Sequence, residues 1–285
     1  MPNYIQVLIL AIIQGACELL PVSSSAHVII TEKIMGLNAS SPEMTMLLVM
    51  LHTGTMFAVL VYFWKGWKRD YFNSMAKLRD FVVQIIIASF FTAVIGFGLI
   101  EFIEKVIMHG VKNAQIESLF SNLALIAIAL AIVGLLIIYS GKREAKVEHT
   151  EEIKSKHSIW IGIVQGLAIP FRGFSRSGST ISTGLLFGIN KQKLEEFSFA
   201  LAVVLTPPAV IRESYRLIKN NALSGHGSTL HLFMPGIVGM IFSFIAGLFA
   251  LKLLSRLLEG GRWQWFGYYC LVISIVIFAF HFQFL

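Results

Sequence analysis

Of the 285 residues, 56% are hydrophobic and 14% are charged, with a net charge of +7 and a mean hydropathy of +0.74. A soluble domain carries roughly a quarter charged residues, so this composition excludes one, and the short alternating strands of a membrane barrel are missing. No basic stretch is interleaved with aromatic residues on a soluble segment, which excludes nucleic acid as a partner. The positive balance fits basic cytoplasmic loops of a membrane protein instead.

The N-terminus, MPNYIQVLIL, has neither a basic lead nor a small-residue cleavage site, so no removable signal peptide is expected. The first apolar stretch is broken: 4–20, then PVSSSAH, then 28–36. Each arm falls short of the roughly 20 residues that span a bilayer, so 4–36 reads as a re-entrant helix hairpin. Three full spans follow at about 45–64, 81–104 and 118–140, and then a basic loop, 141–157. A second broken stretch, 158–170, FRGFSRSGST and 181–189, reads as another re-entrant hairpin. Spans at about 196–218, 231–251 and 264–284 complete the chain, the first of them with a kink expected at Pro207-Pro208.

The two hairpins share a pattern. IIQGACELLPVSSSA begins at Ile12 and IVQGLAIPFRGFSRS at Ile163. Each has Gln-Gly, a few apolar residues, a proline and a serine-rich turn, and each precedes three spans. The expected fold is therefore an all-α integral membrane protein, one membrane domain over 1–285. Its halves, 1–140 and 158–285, are repeats of one hairpin plus three crossings. Three is odd, so the copies lie inverted, which places a site near the midplane where the half-helices meet. Threading the chain puts Lys65, Lys68, Arg69, Lys77, Arg79, Lys142 to Lys156, Lys191, Lys193 and Lys252 to Arg262 on one side. Lys33, Lys105, Lys112 and Lys219, with Arg212 and Arg216, fall on the other. The first side is then cytoplasmic, and the first hairpin enters from outside.

Ionisable groups inside membrane segments mark function by default. The first hairpin offers Glu18, His27 and the hydroxyls of Ser23, Ser24 and Ser25, with Gln14 one helical turn before Glu18. Ser24 and His27 are three apart, on one face if a helix starts near Ser23. Serines at a helix start leave N–H groups free for an anion. The second hairpin offers Arg176, Ser175, Ser177, Ser179 and Thr180, with Arg172 beside them and Gly173 and Gly178 freeing the backbone. Arginine presents a planar fork of donors to phosphate, and Gly-Ser turns form nests of N–H groups. A carboxylate, a histidine and hydroxyls facing an anion clamp read as phosphoryl-transfer chemistry on a substrate already in the membrane. Bland readings stand beside these. Glu18 could cap the turn, the serines could satisfy backbone groups, and Arg172 could snorkel. Cys17, Cys270, His52, His231 and His281 are taken as packing residues.

At these positions, ELLPVSSSAH at 18–27 and QGLAIPFRGFSRSGSTIS at 165–182, continuing through EFSFALAV at 196–203, the sequence resembles the bacitracin-resistance family of undecaprenyl pyrophosphate phosphatases. The resemblance covers essentially the whole chain. It implies hydrolysis of undecaprenyl pyrophosphate to the monophosphate, which recycles the lipid carrier of cell-wall synthesis and confers bacitracin resistance. It also implies the inverted-repeat fold, residence in the bacterial inner membrane, an active site facing the periplasm, and a divalent cation, Mg2+ or Ca2+, with no all-protein cage for it in this sequence. The family's first motif, E-G-x-x-E-F-x-P-V-S-S-T-G-H, places its second Glu on Glu18, its serines on Ser23 and Ser24, its Thr on Ser25 and its His on His27. Its first Glu falls on Gln14, a poor metal ligand, which leaves Glu18 to hold a cation. The second motif has Pro-Gly before Ser-Arg-Ser-Gly, where this chain has PFRG and so the extra Arg172.

Together these readings make Arg176 and the N–H groups of Ser175 to Ser179 the phosphate clamp. Ser24 is the expected nucleophile, His27 its base and later its acid, and Glu18 a cation ligand or the group that orients His27. Direct attack by water stays open. A transporter or flippase of an anionic polyprenyl lipid is the alternative; it would need Arg176 but no nucleophile. The other integral lipid-phosphatase superfamily is excluded, because SGSTISTGLLFG after Ser175-Arg176 lacks the required His and Asp. The sequence leaves open whether the chain works alone or as a homodimer.

Overall fold

The computed structural model describes residues 2–38, 41–108, 119, 122–144, 152–224 and 229–282. Side chains at 42–43, 144, 209, 212–213, 216–218, 220–224 and 229–233 lie outside that set, as do Lys112 and residues 145–151 of the 141–157 loop. Among the described residues the chain is all helix, with no strand: α1 Tyr4–Leu19, α2 Ser24–Ile34, α3 Pro42–Asp70, α4 Met75–Phe102, α5 Leu123–Glu144, α6 Ser155–Leu167, α7 Arg176–Leu186, α8 Lys191–Ser224, α9 Thr229–Glu259 and α10 Gln264–His281. Among the described residues, five segments are long and apolar enough to cross a membrane: Met44–Asp70, Met75–Ile107, Leu123–Arg143, Met234–Glu259 and Gln264–His281. The span expected at 196–218 lies inside α8, which continues through Pro207 and Pro208 and is not one of the five.

Local chemistry sets the breaks. Leu19 ends α1 just before Pro21, which cannot donate to an earlier turn. Ser23 then caps α2, its hydroxyl accepting from the Ala26 N–H at 3.4 Å. Ser23 sits at φ 65°, a left-handed conformation uncommon outside glycine. In the second hairpin the sequence suggested a loop through Thr180. The helix instead begins at Arg176, capped by Ser175, whose hydroxyl accepts from the Gly178 N–H at 3.2 Å. The following hydroxyls bond back onto helical carbonyls: Ser179 and Thr180 donate to the Arg176 carbonyl, and Thr183 donates to that of Ser179. Internal bonds of this kind let a hydroxyl-rich run stay helical inside an apolar protein.

The hairpins dock by close backbone approach. In α1, a Cβ on Gly15 would stand 2.5 Å from the Ser243 carbonyl of α9. In α6, a Cβ on Gly162 would stand 2.4 Å from the Ala88 carbonyl of α4. Small residues at helix contacts are how helices associate where lipid removes the hydrophobic drive between them. The core of buried Leu, Ile and Phe side chains gathers around α5, α7 and α8, with Phe197, Phe199, Leu130, Ile137 and Ile181 sealed from solvent.

Arg69, Lys77 and Lys193, three of the basic residues assigned to one side, stand together at one end of α3, α4 and α8. Arg69 and Asp70 at the end of α3, Lys77 at the start of α4, and Asn190, Gln192 and Lys193 at the start of α8 line one polar cavity. Lys193 pairs with Asp70, which Arg69 also holds. Lys154, before α6, faces an adjoining cavity at the same end.

Candidate active site

The tips of the two hairpins meet inside the protein. Ser177 Oγ donates to the Leu20 carbonyl at 3.3 Å, and the Gly173 N–H donates to Ser25 Oγ at 3.4 Å. These contacts bring the N-termini of α2 and α7 onto one cavity of about 620 Å3. Ser23, Ser24, Ser25, Ser175, Arg176 and Ser177 line it, with Gln14, Cys17, Glu18, His52 and Arg172. Two helix starts aimed at one space favour an anion there.

Glu18 is the hub. Its Oε1 accepts from Arg176 Nη2 at 2.9 Å. Its Oε2 accepts from Ser24 Oγ at 2.6 Å and from Gln14 Nε2 at 3.2 Å. Arg176 also reaches the Ser198 carbonyl from Nη1 at 3.5 Å. One carboxylate therefore holds both the serine hydroxyl and the guanidinium, across 158 residues of sequence.

Sequence reasoning missed His52. Its Nδ1 accepts from Gln14 Nε2 at 2.9 Å and lies 3.6 Å from Glu18 Oε2. An amide nitrogen only donates, so the neutral ring carries its proton on Nε2. The signal was present: an ionisable side chain inside a membrane span, which was discounted as packing.

His27 is placed differently from the expectation. Three residues from Ser24 on α2, it turns away from it. Nδ1–H donates to the Ser23 carbonyl at 2.8 Å, and Nε2 accepts from the Tyr269 hydroxyl at 2.8 Å. The His27 and Tyr269 rings stack at 5.7 Å. The expected Ser24–His27 pair is not formed, because Ser24 donates to Glu18 and both His27 nitrogens are engaged elsewhere. His27 instead fixes the left-handed Ser23 turn and ties α2 to α10. Replacing His27 with alanine is expected to cost roughly 1–2 kcal/mol of stability, read as a lower Tm. Turnover should fall far less than on loss of Ser24, and Tyr269→Phe should reproduce part of the effect.

Ser179 and Thr180 also lie apart from the cavity. Both are sealed from solvent, and Thr180 Oγ1 is 2.6 Å from Ser198 Oγ. They shape α7 rather than face an anion. Ser23, Ser25, Ser175 and Ser177 do line the cavity, though Ser23 and Ser175 spend their hydroxyls on capping.

A smaller cavity of about 280 Å3 shares Glu18, Val49, His52, Ala168, Ile169 and Arg176 with the first. Its remaining wall includes Ala202, Leu205 and Val210 of α8, with Thr92 and Gln165. Gln165 Nε2 donates to Thr92 Oγ1 at 3.0 Å. Gln14 and Gln165, the glutamines of the two Gln-Gly pairs, are each about 1% exposed. Each faces one of the two adjoining cavities.

A family model described as bacitracin resistance protein BacA matches residues 7–276. The chain belongs to the bacitracin resistance protein BacA family. It is 52% identical over 278 residues to undecaprenyl-diphosphatase 2 of Acinetobacter baylyi, covering 96% of this chain and 97% of that one. It is 32% identical over 279 residues to an undecaprenyl-diphosphatase of Bacteroides fragilis, again covering 96% and 97%. It is 30% identical over 278 residues to one from Carboxydothermus hydrogenoformans, covering 96% of each.

The family resemblance implies a divalent cation, and the side chains lining the cavity are a poor set of ligands for one. Among the described residues no group of three His, Cys, Asp or Glu is placed to hold a metal. Glu18, the expected ligand, gives its oxygens to Arg176, Ser24 and Gln14. Gln14 turns its NH2 group, a donor, toward Glu18 and His52. Oxygen ligands are what Mg2+ and Ca2+ require.

Proposed function

We propose that this protein hydrolyses undecaprenyl pyrophosphate to undecaprenyl phosphate and inorganic phosphate, recycling the lipid carrier and conferring bacitracin resistance. The Ser24–Glu18–Arg176 contact carries the reading: a hydroxyl, a proton acceptor and an anion-binding guanidinium in one cavity between two helix starts. The family and the printed names of the relatives supply the substrate. A transporter of the same lipid needs Arg176 but has no use for a serine 2.6 Å from a carboxylate.

In this mechanism the pyrophosphate enters the larger cavity and its isoprenoid chain runs along the smaller, mostly apolar one. Arg176 turns from Glu18 to the terminal phosphate, and the N–H groups at the starts of α2 and α7 share its charge. Glu18, its Oε1 released from Arg176, takes the proton of Ser24 on Oε2. Ser24 Oγ attacks the terminal phosphorus, the bond to the bridging oxygen breaks, and the lipid monophosphate leaves with the proton from Glu18. Water then attacks the phosphoserine. It gives one proton through Glu18 to Ser24 Oγ, and inorganic phosphate departs. No step runs through a cation.

The repeat, the topology and the orientation belong to the same proposal. The 1–140 and 158–285 halves are inverted copies, with α1–α2 and α6–α7 as re-entrant hairpins. The matched contacts of α1 with α9 and α6 with α4 support this. The basic end of the bundle faces the cytoplasm, the protein lies in the inner membrane, and the cavity opens to the periplasm.

The test is phosphate release from undecaprenyl pyrophosphate by purified protein in detergent. Turnover that is lost in both Ser24→Ala and Arg176→Ala supports the reading. Wild-type protein that is folded and binds the lipid without releasing phosphate, with or without added Mg2+, would overturn it in favour of transport.

A further inference from the structure

We infer that Arg172 is a second arginine of the pyrophosphate clamp and takes over charge neutralisation that a divalent cation would otherwise supply. The inference rests on the phosphatase reading and concerns the same cavity.

Four observations carry it. Arg172 lines the 620 Å3 cavity together with Arg176 and Ser24. Its position is fixed by its neighbour, because Gly173 adopts φ +100° and packs against the Ile126 carbonyl with no room for a Cβ. The Gly173 N–H also bonds Ser25 Oγ, so the segment carrying Arg172 is held to the start of α2. Third, the same helix α2 carries Glu32, an acidic side chain about 1% exposed whose Oε1 has no hydrogen-bond partner. Fourth, the acidic side chain lining the cavity is Glu18, already paired with Arg176.

The electrostatic consequence follows directly. A cavity with one carboxylate and two guanidinium groups attracts bare pyrophosphate and repels a free divalent cation. Two arginines can grip separate phosphate oxygens through paired N–H donors, with more directional bonding than a point charge provides.

The experiment compares wild-type protein, Arg172→Ala, Arg172→Lys and Gln14→Glu in EDTA and in Mg2+. Two readouts are taken: phosphate release from undecaprenyl pyrophosphate, and the rise in Tm given by inorganic pyrophosphate. Wild type is expected to keep most of its rate in EDTA and to be stabilised by pyrophosphate there. Arg172→Ala should lose at least about tenfold more rate in EDTA than in Mg2+ and lose the Tm shift in EDTA. Arg172→Lys should recover part of both, and Gln14→Glu should become cation-dependent. Wild type active in Mg2+ but inert in EDTA would overturn the inference and leave the phosphatase reading standing. An Arg172→Ala protein that is folded, with an unchanged Tm shift in EDTA, would overturn it as well. If no variant releases phosphate, the phosphatase reading falls, and the Tm shift alone still decides whether Arg172 binds pyrophosphate.

Discussion

Alanine at Ser24 is expected to reduce phosphate release by roughly 10³-fold or more, because it removes the attacking atom and not merely a contact. The structural reason is the 2.6 Å bond from Ser24 Oγ to Glu18 Oε2. It gives the hydroxyl a proton acceptor and points its oxygen into the cavity. Ser24 is about 8% exposed, and among the described residues its side chain bonds Glu18 alone, so the fold should tolerate the change. The Tm should stay within a few degrees of wild type. A phosphoserine trapped by rapid quench of wild type and missing from the variant would identify the covalent route. Residual turnover within about tenfold of wild type would remove Ser24 as nucleophile. Water, activated by Glu18 with His52 beside it, would then be the attacking group.

Arg176 carries the second large effect. Arg176→Lys keeps a positive charge and loses the planar fork, and roughly 10²–10³-fold in turnover is expected to go with it, the scale of losing a preorganised donor. Arg176→Ala should be worse in two ways. It removes the clamp, and it leaves Glu18 without its guanidinium, a loss of roughly 3–5 kcal/mol when one partner of a buried pair is removed. Pairing Arg176→Ala with Glu18→Gln separates these. The double variant should recover stability, measured by Tm, while turnover stays lost. A double variant as unstable as Arg176→Ala would mean that the Glu18–Arg176 contact at 2.9 Å does not set the arginine's structural role. Turnover kept by Arg176→Lys would mean that charge alone suffices at this position.

Much of this was legible from local pattern. The broken apolar stretches gave both hairpins, since a run of serines after a proline cannot continue as a comfortable span. Intramembrane charge singled out Glu18 and Arg176, which have no cheap place in lipid. The helix start at Arg176 was misread because Gly and Ser signal turns. Their hydroxyls can equally close bonds within a helix, as Ser179, Thr180 and Thr183 do. His52 was discounted because one histidine in an apolar run has no local partner to betray its use. Its partners, Gln14 and Glu18, stand 38 and 34 residues away in the chain.

The sequence by itself determined the membrane class, the two hairpins and the residue types that would meet a phosphate. Hydropathy, proline breaks and buried charge are local properties that need no fold to be read. Only the tertiary structure decided who touches whom. It gave Ser24 to Glu18 instead of His27, turned His27 to Tyr269, and brought His52 and Arg172 into the cavity. Helix spacing places two residues on one face, but which neighbouring helix that face meets depends on how α1 packs on α9 and α6 on α4. Those packings rest on close approaches such as Gly15 to Ser243 and Gly162 to Ala88, contacts between segments that are distant in the chain.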